Sequence, residues 1–309
     1  MTQRTSDQRS WSNPLRWSRE QIIGLWMTIP AVALVAGIYL YPAIRTVILS
    51  MSEFDLVTLE VERFVGFENF IRLFQSPSFL EILTRTVYFG LMIVALTTVL
   101  AFLVALLLNE RFIGRTVLRV AVLLPWAIPP VVAGVLFGQL FHAEIGFVNA
   151  ILFRLGLIDR YQVWLSDPNI ALHVIIMLEV WRALPFMILF FLAGLQSLPH
   201  DVFEAAAIDG AGILSRIRHV LLPLVTPIAL PLMIIQFIWA MKAFDSIFVL
   251  TRGGPGRATM TLNYYVYQQG FQNFDLGPAA AAAYVLLAVT LVVVVTIMII
   301  QRILAKRGL

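Results

Sequence analysis

The 309-residue chain has no cysteine, and only two lysines, Lys242 and Lys306, against twenty arginines. Without cysteine there is no disulfide framework, thiol nucleophile or thiolate metal site. This absence leaves the redox compartment open. The scarcity of lysine excludes more. A phosphate-binding P-loop needs a lysine directly after glycine, so that its ammonium reaches the phosphates. Here the two lysines follow Met241 and Ala305, so the chain holds no such ATP site. The four histidines, His142, His173, His200 and His219, show no spacing of the His-x-x-x-His kind. No catalytic residue and no metal site is expected. Charge is scarce too, at 13% of residues, while 60% are hydrophobic and the mean hydropathy is +0.87. A soluble domain is about 45–50% apolar and about 25% charged. The excess cannot hide in a soluble core, which excludes a soluble enzyme, a disordered chain and a nucleic-acid-binding domain. The expected class is an all-α polytopic membrane protein.

A spanning helix needs about 20 mostly apolar residues. Six stretches qualify: 22–48, 86–108, 118–141, 170–195, 222–248 and 278–304. The first follows a basic start, but it is too long for a signal-peptide core and carries Pro30 and Pro42, so it reads as an uncleaved span. Basic residues then set the orientation. Twelve fall on the side of the termini: Arg4, Arg9, Arg16, Arg19, Arg111, Arg115, Arg119, Arg216, Arg218, Arg302, Lys306 and Arg307. Six fall opposite, in longer loops: Arg63, Arg72, Arg154, Arg160, Arg252 and Arg257. Both termini are therefore expected in the cytoplasm, and the net charge of +4 reflects loop topology rather than a nucleic-acid partner. Aromatics of the outer loops, such as Phe64, Phe67 and Trp164, suit the lipid headgroup level.

Proline and charge interrupt these spans. Pro125, Pro129 and Pro130 fall in the third, Pro185 in the fourth, and Pro223, Pro227 and Pro231 open the fifth. Proline removes a backbone donor, and within a membrane the freed carbonyls need protein or a polar cavity. Glu179 and Arg182 are three residues apart in the fourth span, as are Lys242 and Asp245 in the fifth, so each pair should share a helical face. Intramembrane charges face a bundle interior or an aqueous path. Glu179, Arg182, Gln236, Trp239, Lys242 and Asp245 are thus candidates for a polar substrate pathway, with Gln139 and Trp181 as neighbours. Local self-neutralisation of each pair is the plainer alternative. For His173, a packed or hydrogen-bonded ring is the expected state.

Between the fourth and fifth spans the chain reads Asp201-Val-Phe-Glu204-Ala205-Ala206-Ala207-Ile208-Asp209-Gly210-Ala211-Gly212. Asp201 suits an N-cap and Glu204 the capping-box position three residues on. The alanines favour helix, and the glycines offer a stop. A two-turn helix with a smooth face of Ala205, Ile208 and Gly212 suits a cleft on another protein.

This loop resembles the EAA loop of ABC-importer permeases, carried by Glu204-Ala205-Ala206, Asp209-Gly210-Ala211, Leu222-Pro223 and Pro227. Further stretches are similar to the carbohydrate branch, of maltose and glycerol-phosphate type: Gly66-Phe-Glu-Asn-Phe70, Leu124-Pro-Trp-Ala-Ile-Pro129, Trp181-Arg-Ala-Leu-Pro185 and Leu250-Thr-Arg-Gly-Gly-Pro255. Ile217 departs from the aromatic usual in that family, which implies a modest packing change under the loop.

The resemblance implies a coupling helix docked on a dimer of cytoplasmic ATPase subunits, which consume ATP and Mg while this chain binds neither. Glu204 would pair with a basic group there, and Gly210 would let the chain turn tightly. It also implies a second, homologous permease subunit in a heterodimer, an extracytoplasmic solute-binding protein, and a bacterial inner membrane whose lipids surround the spans. The expected organisation is a tail at 1–21, a permease domain at 22–305 with its EAA loop near 196–227, and a tail at 306–309. The runner-up is an ion-gradient-driven secondary transporter. It predicts inverted repeats and isolated acids, whereas no repeat is evident and the acids come paired with bases.

Overall fold

The computed structural model describes residues 18–55, 60–198 and 212–306. Five helical stretches among them are long and apolar enough to cross a membrane, and a bent pair makes a sixth if taken as one span.

The first stretch runs as α1 (Arg19–Val35), a π-turn at Ala36–Leu40, and α2 (Tyr41–Ser50). Its start is a capping box. The Ser18 hydroxyl accepts from the Gln21 N–H, and the Gln21 amide oxygen accepts from the Ser18 N–H. The π-turn ends two residues before Pro42, whose missing N–H forces the local hydrogen bonds to shift. The same arrangement recurs in the fifth span, where a π-turn at Ile217–Leu221 precedes Pro223. None of the residues of α1 is buried against the rest of the chain.

A short antiparallel hairpin, β1 (Ser52–Asp55) and β2 (Glu60–Phe64), follows, with an irregular register after Glu53. It was not foreseen, but it is small beside the helices. Next come α3 (Glu68–Gln75) and the long α4 (Pro77–Asn109), which starts nine residues before the expected second span.

The third span, expected over 118–141 with its prolines kinking or breaking it, is two helices. It is α5 (Arg115–Ala127) and α6 (Pro130–Leu140), bent by 101° at the break. Ile128 and Pro129 are extended there, as residues preceding proline prefer, and Pro130 starts the new helix. Neither piece alone reaches across a hydrocarbon core of about 30 Å at about 1.5 Å per residue.

After α7 (Phe147–Arg154), α8 (Ala171–Gln196) follows the expected fourth span to within one residue at each end. A turn, α9 (Ile213–Arg216), leads through the π-turn into α10 (Leu222–Met241). The expected fifth span to residue 248 is shorter in fact. It ends at Met241, and α11 (Asp245–Leu250) is a separate helix. Then come α12 (Leu262–Tyr267), a π-turn at Gln268–Gln272, and α13 (Leu276–Lys306).

The core lies where α4 crosses α8. Ala101 and Ala105, one turn apart on α4, are fully buried beside Met187, Phe191 and Leu195 of α8. Small residues let the backbones approach, which is how helices gain packing energy in lipid. At Gly90 a Cβ would run into the Phe237 ring and the Met241 methyl of α10. A second cluster joins Phe89 and Ile93 of α4 to Ile175, Leu262, Tyr264 and Ala281. This cluster holds the ends of α8, α10 and α12 around the cavity described next.

Candidate functional site

Along α8, residues 179, 182, 183 and 186 follow the i, i+3, i+4, i+7 spacing of one helical face. Along α10, residues 236, 239 and 240 follow the same spacing near the helix end, and Ala243 lies just beyond it. The two stripes face each other across a cavity of about 300 Å³. All six pathway candidates line it: Glu179, Arg182, Gln236, Trp239, Lys242 and Asp245.

Glu179 and Arg182 form an ion pair at 3.4 Å, as the spacing suggested, with side chains 14% and 24% exposed. The second expected pair does not form. Lys242 is the C-cap of α10 and Asp245 begins α11, so no single helical face carries both. Among the described residues no ion pair joins them. Both still reach the cavity, because the chain breaks there. Asp245 acts electrostatically on Glu179, so two carboxylates and two cations share one lining. Gln236 is 3% exposed, and its amide oxygen has no hydrogen-bond partner among the described residues. A buried polar atom without a partner is costly and marks a place where a bound group can supply the hydrogen bond.

Three aromatic residues of the lining escaped the sequence reading: Trp126 at the end of α5, Phe186 and Phe244. Phe186 packs on Trp239 with ring centres 4.7 Å apart. Its helical spacing from Glu179 and Arg182 could have found it, and the Pro129-Pro130 break pointed to Trp126. Gln139 and Trp181 do not line the cavity. Trp181 packs on Phe137, ring centres 5.4 Å apart, in a separate cluster. His173 is hydrogen-bonded on both ring nitrogens, to the Tyr88 hydroxyl and the Asn169 carbonyl.

Of the loop residues, Glu204, Ala205, Ala206, Asp209, Gly210 and Ala211 lie outside the described residues. Leu222 and Pro223 open α10, with Leu222 exposed and Pro223 half-buried.

A bundle of spanning helices whose breaks surround a cavity of mixed charge and aromatic faces defines a membrane transport protein. Residues 97–308 match the family described as binding-protein-dependent transport system inner membrane component. The chain is 35% identical over 283 residues to the sulfoquinovosyl glycerol transport system permease protein SmoG of Agrobacterium fabrum, covering 90% of this chain and 91% of that one. It is 37% identical over 252 residues to the trehalose/maltose transport system permease protein MalF of Thermococcus litoralis, covering 80% and 84%. In fold it resembles a chain of a bacterial ABC transporter involved in the import of the acidic polysaccharide alginate, with a TM-score of 0.79, 23% identity, and 92% and 96% of the two chains covered. The chain belongs to the binding-protein-dependent transport system inner membrane components. It is a multi-pass inner-membrane permease subunit of an ABC importer, a transport component rather than an enzyme.

Proposed function

We propose that this permease moves a sugar or related polyol through the cavity between α8 and α10. The observation that carries this reading is the convergence of two helical stripes on one lining with balanced charge, an unpartnered amide oxygen and aromatic faces. Hydroxyl groups need donors and acceptors together. Arg182 and Lys242 donate, Glu179 and Asp245 accept, and Gln236 does both. Trp239, Phe186, Trp126 and Phe244 suit the apolar C–H faces of a sugar ring. The solutes named for relatives, sulfoquinovosyl glycerol, trehalose or maltose and sn-glycerol-3-phosphate, are all rich in hydroxyls.

The cavity is half-open, since Trp126 and Trp239 are exposed on this chain alone. A second, homologous permease subunit completes the path in this reading, as a heterodimer. ATP and Mg are used by a dimer of partner ATPases. The loop around Glu204, Ala205, Ala206, Asp209, Gly210 and Ala211, braced by Leu222 and Pro223, is their docking helix. Both termini and this loop face the cytoplasm. Residues 22–305 act as one permease domain between two short tails. A binding protein delivers solute to the opposite face.

Reconstitution tests the whole reading. Uptake into vesicles should require the ATPase subunits, ATP and the loaded binding protein, and should ignore an ionophore. Gradient-driven uptake by this chain alone would overturn it. Glu204→Ala and Gly210→Pro should lower ATP-coupled uptake without lowering membrane insertion. Full transport in both variants would remove the coupling assignment.

A further inference from the structure

A line of rings leads away from the cavity. Phe244 lines it and meets Tyr267 with ring centres 4.9 Å apart. Tyr267 in turn stacks on Phe271, centres 5.7 Å apart and planes within 22°. Burial falls along this line. Phe244 and Tyr267 are half-buried, and Phe271 is 71% exposed. The segment that carries it joins α10 to α13, so it lies beyond the Met241 end of α10, away from the end that Leu222 opens. Tyr264, 2% exposed, anchors these rings to the core, where Phe244 and Tyr267 each lean on it and on Phe248, while Phe271 contacts Tyr267 and stands clear. Two hydrogen bonds fix the support. The Leu262 N–H donates to the Thr86 hydroxyl of α4 at 2.8 Å, and Asn263 ties α12 to the carbonyl of Lys242 at 2.9 Å.

We infer that Phe271, Tyr267 and Phe244 form an aromatic track that conducts the saccharide from the outer face into the cavity. This rests on the saccharide reading of that cavity. The part of each ring left uncovered by its neighbours offers an apolar surface to the C–H face of a sugar unit, and its contact is weak enough to release. The spacing of the rings allows a sugar to pass from one to the next without returning to water. A ring that is exposed yet stacked gives the track a mouth.

The test uses the assembled importer in vesicles, with its ATPase subunits and saccharide-loaded binding protein. Phe271→Ala and Tyr267→Ala should each lower saccharide uptake about two- to tenfold, the scale of one aromatic contact. ATP hydrolysis stimulated by the binding protein and the amount of protein in the membrane should stay at the wild-type level. Phe271→Trp and Tyr267→Phe should restore uptake. Wild-type uptake in the double alanine variant would overturn the track. So would a fall in ATP hydrolysis in step with uptake, which marks a docking or structural role. Failure of the unaltered importer to take up any saccharide would reject the cavity reading itself, and the track with it.

Discussion

Asn263 Nδ2 donates to the backbone carbonyl of Lys242 at 2.9 Å and to that of Ala243 at 3.5 Å. These carbonyls belong to the end of α10, where a helix leaves its last acceptors unsatisfied. Within a membrane no bulk water replaces the lost partner. The side chain therefore holds open the break that turns Lys242, Ala243 and Phe244 toward the cavity. Asn263→Leu keeps the bulk and removes the donor. It should destabilise the protein by about 0.5–1.5 kcal/mol, the net contribution of a hydrogen bond that is partly exposed. Thermal unfolding in detergent measures the loss, and solute uptake should fall with it because the lining shifts. An unchanged midpoint together with unchanged uptake would show that the break stands without this bond.

Gly277 is a second joint. A Cβ there would lie 2.5 Å from the Ser52 carbonyl oxygen and 2.9 Å from Asn69 Nδ2. Asn69 is 3% exposed and donates to the carbonyls of Ser50 and Ser52, each at 3.0 Å. Hairpin, α3 and the start of α13 thus meet with no room for a methyl group, and backbone cannot swing aside as a flexible side chain can. Gly277→Ala should cost about 1–3 kcal/mol, as overpacking does. Lower detergent stability and a lower folded yield are the expected results. Wild-type values in both would mean that the joint relaxes freely.

The cavity was legible in part for a simple reason. Charges are so scarce in these spans that Glu179, Arg182, Lys242 and Asp245 stand out, and helical spacing then places the first two together. The aromatic half was less visible. Phe186 and Phe244 are ordinary apolar residues in an apolar chain, and only their phase relative to the charges sets them apart. The break after Met241 was invisible because its cause lies elsewhere. No proline or glycine occurs between Lys242 and Asp245, and the acceptors freed there are met by Asn263, 21 residues on. The bend at Pro129-Pro130 had a local cause, so irregular helix could be foreseen, although an angle of 101° could not. The hairpin at 52–64 does carry the alternation of a strand, with Phe54, Leu59 and Val61 set between polar residues, but the apolar runs of the spans dominate the chain and hide it.

Asp275, just before α13, gives a pH dependence. Burial pushes its carboxyl above the ordinary carboxylate value of 3.8, and Arg72 opposes this while Glu53 adds to it. A folded-state pKa above the unfolded one means that folding favours the protonated acid. This contribution is fully present below 3.8 and is lost as pH rises through the folded-state pKa. At pH 7 the ionised side chain is therefore a small liability. Asp275→Asn cannot ionise, so it should unfold at a higher temperature than the unaltered protein at neutral pH. The gap should close as the pH approaches the unfolded carboxylate value. A variant less stable than the unaltered protein at pH 7 would show that the carboxylate makes a favourable contact to Arg72 or to the helix start that outweighs its burial.

The Glu179–Arg182 pair separates charge compensation from solute recognition. The side chains meet at 3.4 Å with little exposure, and Asp245 adds a second negative charge nearby. Removing one member of a buried pair leaves the other uncompensated, which costs about 3–5 kcal/mol when burial is complete. Partial exposure of both side chains reduces that figure. Arg182→Gln should be the more damaging single change, since it leaves Glu179, which already lies near Asp245, without its cation. Glu179→Gln should be milder. The double variant Glu179→Gln/Arg182→Gln carries no unpaired charge from this pair, so its thermal stability should recover most of the loss of either single variant. Its uptake should stay low, because a donor and a charged acceptor for solute hydroxyls are both gone. Losses of stability that simply add would show that the two side chains are not coupled. Recovery of uptake along with stability would confine the pair to a structural role and shift recognition to Gln236 and the aromatic faces.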